Sequence, residues 1–289
     1  MKGYKGFNPG LICKDKQYQE NTVFEEPEAK ICEKGMHFCE NPFDVLDYYD
    51  LIRSDGTPNE FAEVEAPDEP KTDDKKKFCS RKLKIGVKLG LSGFVKACVD
   101  FVLEKTIAET PSENVDSGNY AQIGSSGNSA RIGSSGNSAR IGSSGNYAQI
   151  GSSGNSARIG SSGNSARIGS SGDSAQIGSS GDSAQIGSSG ESARIGSSGE
   201  SARIGSSGNY ARINCTGSDS VICCAGHGSV VKAPVGCWIT LAEWKYDGAK
   251  QRYVPVCVKT EYVDGEKIKA DTPYTLKNGE FAEAKSDGE

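Results

Sequence analysis

The chain has 289 residues, of which 37 are glycine and 25% are charged, and its net charge is −5. That length suffices for two or three domains, and so small a charge excludes both a polybasic nucleic-acid protein and a uniformly acidic decoy. Ten cysteines without a CxxC, two histidines and an opening MKGYKGFN without an apolar leader lead us to expect reduced thiols in a cytoplasmic protein with no membrane contact.

Residues 1–90 read as a small α+β domain. Phe43 to Tyr49 follows Asn41-Pro42, an Asn cap with proline at the first helical position. Glu60 to Ala66 and Lys82 to Leu89 alternate as half-buried strands, with a charged loop from Glu69 to Lys77 between them. Ser92 to Lys105 is helical, because Phe94, Val95, Cys98, Phe101 and Val102 recur at three and four. Within the segment 91–118 this helix is expected to cap the first coil of the repeat array that begins at Asn119, whose open strand edges otherwise invite aggregation.

From Asn119 to Gly217 a nine-residue unit, NSARIGSSG with small variations, runs eleven times without a slip. A fixed short period means a solenoid whose units stack on their neighbours. In Ser-Ala-Arg-Ile-Gly the Ala and Ile sit two apart and share the inner face of a strand, with Ser or Tyr and Arg or Gln outside. Ser-Ser-Gly-Asn supplies turn chemistry, with glycine offering positive φ. Units 155–163 and 164–172 are identical, and identity changes in blocks of eighteen. This suggests a two-sided coil of about 18 residues, although a three-sided coil stays open. With parallel strands about 4.8 Å apart, eleven units make a rod on the order of 26 Å long. The repeat decays through 218–235, and from 236 to 289 Cys237 to Trp244, Arg252 to Thr260 and two turns read as a C-terminal β-rich module. The expected fold is therefore mainly β: a nonapeptide-repeat parallel β-solenoid over 119–235, between an N-terminal α+β domain and a C-terminal β-rich module.

Two constellations invite chemistry. Cys215, Cys223, Cys224 and His227 gather at the solenoid end, and His37 lies between Cys32 and Cys39. Neither has zinc spacing, and buried thiols are ordinarily small hydrophobes. Calcium-binding nonapeptide rolls need a turn aspartate in every unit, whereas here only Asp173 and Asp182 stand there. No metal, cofactor or catalytic residue is expected. The outward positions instead carry Arg131, Arg140, Arg158, Arg167, Arg194, Arg203 and Arg212, with Tyr120, Tyr147 and Tyr210 beside the turns. Asp173, Asp182, Glu191 and Glu200 vary by block at the turn. A solvated surface explains such ladders, and so does a docking face in which Arg and Tyr do the binding.

The N-terminal MKGYKGFNP…CEKGMHFCENPFDVLDYY, the Gly/Ser/Asn repeat and the C-terminal WITLAEW together resemble phage and prophage proteins of unassigned function. That resemblance implies a phage setting and counter-defence in the host-cell cytoplasm. Gly35, His37 and Phe38, with Tyr48 eleven residues after His37, are similar to the glycine–aromatic signature with which ADP-ribosyltransferases hold nicotinamide. The similarity implies a nucleotide pocket. No His stands near Lys5-Gly6-Phe7, and no Glu from Ser80 to Leu89, where that family's catalytic set would fall.

The expectation is a non-enzymatic interaction protein, an inhibitor or decoy that presents its solenoid to a host protein or complex. The alternative is a protein that binds NAD or ADP-ribose-like ligands, as a sponge or a degenerate enzyme. Nucleic-acid contact and homo-oligomerisation stay open.

Overall fold

The computed structural model describes residues 1–105 and 113–284. In the repeat, each strand pairs in parallel with the one eighteen residues on: Ile123 lies beside Ile141, and Ile132 beside Ile150. The coil is thus two-sided. Odd and even units build two facing sheets, nine strands each among the described residues. The strand is Arg/Gln-Ile-Gly-Ser, which begins two residues and ends one residue later than the sequence suggested. Isoleucine and the serine two residues on point inward, Arg or Gln and glycine point outward, and alanine is buried at the corner. Isoleucines of both sheets form one continuous core. Each contributes about 1.5–3 kcal/mol by leaving water.

The corners correct a second expectation. Positive φ falls on the residue after Asn or Asp, as in Ser156 (φ 56) and Tyr147 (φ 60), and not on the turn glycine. That glycine is needed for a different reason. A Cβ on Gly154 would lie 2.0 Å from the carbonyl oxygen of Gly136, one coil below. The Asn side chain also serves the stack, since Asn137 Oδ1 accepts from the Asn155 amide at 2.9 Å. Asp173 and Asp182 accept likewise from the amides of Glu191 and Glu200.

The N-terminal region forms a six-stranded antiparallel sheet. Its strands are β1 (Lys2–Phe7), β2 (Val23–Glu25), β3 (Met36–Cys39), β4 (Glu60–Glu65), β5 (Lys77–Ser80) and β6 (Lys82–Leu89), in the order β2-β6-β4-β1-β3-β5. Helix α1 (Pro42–Val45) follows β3, with Asn41 Oδ1 accepting from the Phe43 amide. It is shorter than expected, and the chain turns through Tyr49.

Helix α2 (Leu91–Lys105) does not cap the solenoid end. It lies across the outer face of one sheet, running over the strands that begin at Gln122, Arg140, Arg158, Gln176 and Arg194. The physical reason is the glycine row. Gly142, Gly160, Gly178 and Gly196 leave a flat backbone floor onto which Val99, Val95 and Leu91 settle. We call this the docked sheet and its twin the open sheet.

The C-terminal strands extend both sheets. Trp238–Asp247 continues the open sheet in parallel beside Val221–Cys224, then pairs antiparallel with Arg252–Tyr262. Tyr274–Lys277 joins the docked sheet beside Val230–Lys232. Val263, Ile268, Tyr274 and Leu276 complete the solenoid's own core.

Candidate functional site

The outward ladder divides into two halves with different fates. On the docked sheet the side chains from Arg140 onward are engaged within the molecule, while Gln122 on the first strand is exposed. Arg140 pairs with Asp44, and Arg158 with Asp47. Gln176 Oε1 accepts from the Leu51 amide at 2.8 Å. Arg194 reaches Asp50 at 2.7 Å and donates to the Ile52 carbonyl at 2.8 Å. Arg212 donates to the Ser54 carbonyl. Burial pushes the Asp44 carboxyl up from its usual range, while Arg140 and Arg158 pull it back. Asp50 follows the same pattern, with burial opposed by Arg194. Arg140, Arg158, Arg194 and Arg212 are therefore part of an internal interface. Sequence reasoning missed their partners, although Asp44, Asp47 and Asp50, three residues apart, formed a visible acidic row.

On the open sheet the equivalent column is Arg131, Gln149, Arg167, Gln185 and Arg203, all exposed. Beside it runs a glycine column, Gly133 to Gly205. A Cβ on Gly151, Gly169, Gly187 or Gly205 would meet nothing within 4 Å. Two shallow troughs of about 900 and 960 Å³ follow these columns. Glycine in a strand interior costs roughly 0.5–1 kcal/mol relative to alanine, and among the described residues nothing packs on these four. At the C-terminal end the arginine column passes into Val221 and Trp238, whose ring lies 5.2 Å from that of Tyr262.

The remaining surface residues sit at the corners, apart from the open face. Lys76 lies over the Tyr120 ring at 4.8 Å, and Tyr210 meets His227 edge-on at 5.4 Å. Tyr147 is exposed. Asp173, Asp182, Glu191 and Glu200 stand in the two turn stacks, where the aspartates serve the backbone. The structure thus separates residues that the sequence had grouped as one surface.

The N-terminal residues do come together. Gly35, His37, Phe38 and Tyr48 line one cavity of about 790 Å³, with Lys5, Cys13, Tyr18, Tyr49 and Lys77. Gly35 has φ 93, and a Cβ there would fall 2.9 Å from Cys79 Sγ. Lys5 is 5% exposed and donates to the His37 carbonyl at 2.9 Å. Burial lowers its pKa. His37 Nε2 accepts from the Cys32 amide at 3.1 Å, the bond of a neutral ring. Burial, with Lys5 and Lys77 nearby, holds its pKa down to about 4. Lys77 lies over the Tyr48 ring at 4.9 Å. The sequence signal for Lys5 is its place on a strand face with Phe7 two residues on, which marks it as inward-facing but does not tie it to this cavity.

A family model described as a domain of unknown function (DUF7666) matches residues 1–97. The match takes in β1 to β6 and the cavity, and ends within α2. No curated protein and no solved structure matches the chain.

The cysteine constellation disperses. Cys215 and Cys224 are buried inside the coil and Cys223 faces out. No group of three or more potential metal ligands occurs among the described residues. No helix among them is long and apolar enough to cross a membrane.

Proposed function

We propose that the protein is a non-enzymatic interaction protein in which the solenoid holds a macromolecular partner against its open sheet. One observation carries this reading. The same ladder of arginine, glutamine and glycine that binds a folded domain on the docked sheet stands exposed on the open sheet. A rigid face loses little ordering entropy when it binds. Arginine beside an aromatic pair is the chemistry in which binding energy concentrates. The resemblance of the whole chain to phage and prophage proteins points to a host macromolecule as the partner, held by an inhibitor or decoy. Affinity capture from host lysate, read by mass spectrometry, tests the proposal. Replacing Arg167 and Arg203 by Glu should abolish capture while substitutions at His37 and Tyr48 leave it unchanged; the reverse pattern defeats it.

A second reading rests on a separate observation, the convergence of Gly35, His37, Phe38 and Tyr48 on one cavity with the buried Lys5. In this reading the N-terminal domain binds a nucleotide of the NAD or ADP-ribose kind without turning it over. Aromatic walls suit a base, and Lys5 and Lys77 suit phosphate. Calorimetry with NAD and ADP-ribose, against a Tyr48→Ala variant, tests it. No heat from either nucleotide removes it.

A further inference from the structure

The glycine columns of the two sheets differ in what they meet. On the docked sheet glycine is obligatory: a Cβ on Gly178 would lie 2.5 Å from Val95 Cγ2, and one on Gly196 2.9 Å from the Leu91 methyls. Leu91, Val95 and Val99 follow each other at i, i+4, so the helix advances about 6 Å per contact over strands about 4.8 Å apart. Roughly one apolar side chain therefore settles per coil. The open sheet repeats this floor in Gly151, Gly169, Gly187 and Gly205, with nothing above it among the described residues. It also repeats the flanking guanidinium groups. Arg167 and Arg203 stand two strands apart beside Gln185, and among the described residues no carboxylate pairs with either. Their separation along the rod is about 9.6 Å, and residues seven apart on a helix advance about 10.5 Å.

We infer that the open trough is a helix-docking site: it takes an amphipathic α-helix of another protein, with apolar side chains at i, i+4 on the glycine floor and carboxylates at i, i+7 beside Arg167 and Arg203. The inference rests on the reading of the open sheet as the interaction face and names what that face receives. The docked sheet supplies the precedent for each half, since there the apolar face of α2 covers the glycines while Asp44, Asp47 and Asp50, from α1 and the turn after it, meet the arginines. At the C-terminal end Val221, Trp238 and Tyr262 give the helix terminus an apolar seat.

The test uses the full chain and a fluorescein-labelled synthetic 22-residue helical peptide. One face of the peptide carries Leu and Val at i, i+4 and its flank carries Glu at i, i+7; a control replaces each Glu by Lys. Fluorescence anisotropy should show the acidic peptide binding and the basic one not. The double variant Arg167→Glu, Arg203→Glu should weaken binding at least tenfold. Gly169→Val with Gly187→Val should abolish it with the melting temperature unchanged or raised, because the added methyls meet only solvent. Equal binding of both peptides, no binding of either, or undiminished binding by the valine variant overturns the inference. Lysate capture separates the two levels. Loss of the captured partner in the valine variant while the peptide fails leaves the interaction reading standing and removes the helix. Capture that survives both double variants removes the reading of the open sheet as well.

Discussion

At the scale of single residues, chemically identical arginines have different values. Arg140 is 4% exposed and is the counter-ion of buried Asp44. Removing one member of a buried pair leaves the other uncompensated and costs about 3–5 kcal/mol. Arg140→Ala should therefore lower the urea midpoint sharply. Arg167→Ala should stay within about 0.5 kcal/mol of the parent, as exposed sites away from special features do. A second prediction concerns His37. Its folded pKa of about 4 lies below the ordinary imidazole value near 6.5. Between these values the unfolded chain binds the extra proton, so stability is fully present above pH 6.5 and is lost as the pH falls toward 4. His37→Gln should flatten the melting temperature between pH 7 and pH 4.5 relative to the parent. If the two proteins lose stability in parallel, His37 is not the titrating group. The sequence offered His37 and Tyr48 as neighbours through the resemblance they carry. It could not show that Lys5 closes the same cavity, because that contact depends on the pairing of β1 with β3.

At the scale of elements, the two-sided coil could be read from blocks of eighteen, and the buried isoleucines from their place in the unit. The bounds of the strand could not. Ser-Ala-Arg-Ile-Gly and Arg-Ile-Gly-Ser both place isoleucine inside, and only stacking one coil on the next decides between them. Stacking puts the Gly carbonyl against the next glycine and drives the residue after Asn to positive φ. The helix was legible as a helix. Its destination was not, because a cap over the end and a rider on the face need the same apolar stripe. The glycine row was the missing signal: four outward glycines in one sheet make a floor only once they are known to align. Gly178→Val should force Val95 aside and destabilise the protein by about 1–3 kcal/mol, as overpacking does. The same change at Gly169 should not. Equal thermal shifts for the two would mean that α2 does not seat on the glycines. Ile159→Asp, which buries a charge without a partner, should unfold the coil, whereas Ser156→Asp at an outward corner should be tolerated.

At the scale of the whole molecule, the solenoid and the C-terminal strands share two sheets, and the N-terminal domain, with a sheet of its own, lies on one of them. The N-terminal domain is held to the docked sheet along most of its length, from Asp44 on Arg140 to Ser54 on Arg212. Gly56 lies against Val230 further on, where a Cβ would come within 2.7 Å of its side chain. The C-terminal strands are welded to the other end of both sheets. Because odd and even units feed opposite sheets, the rod has a parity. Removing eighteen residues, such as 155–172, takes one strand from each sheet and leaves every later residue on its own side. Removing the nine residues 155–163 sends every later strand to the opposite side, so that Trp238 would arrive beneath the N-terminal domain and Tyr274 on the bare face. The eighteen-residue deletion should give a shorter protein that melts cooperatively, and the nine-residue deletion one that loses cooperativity or solubility. Comparable melts for the two would deny the parity. Tandem copies of a short unit are readily gained and lost when their gene is replicated, and the paired sheets act as a filter on such events: only changes by an even number of units keep the molecule's two sides distinct.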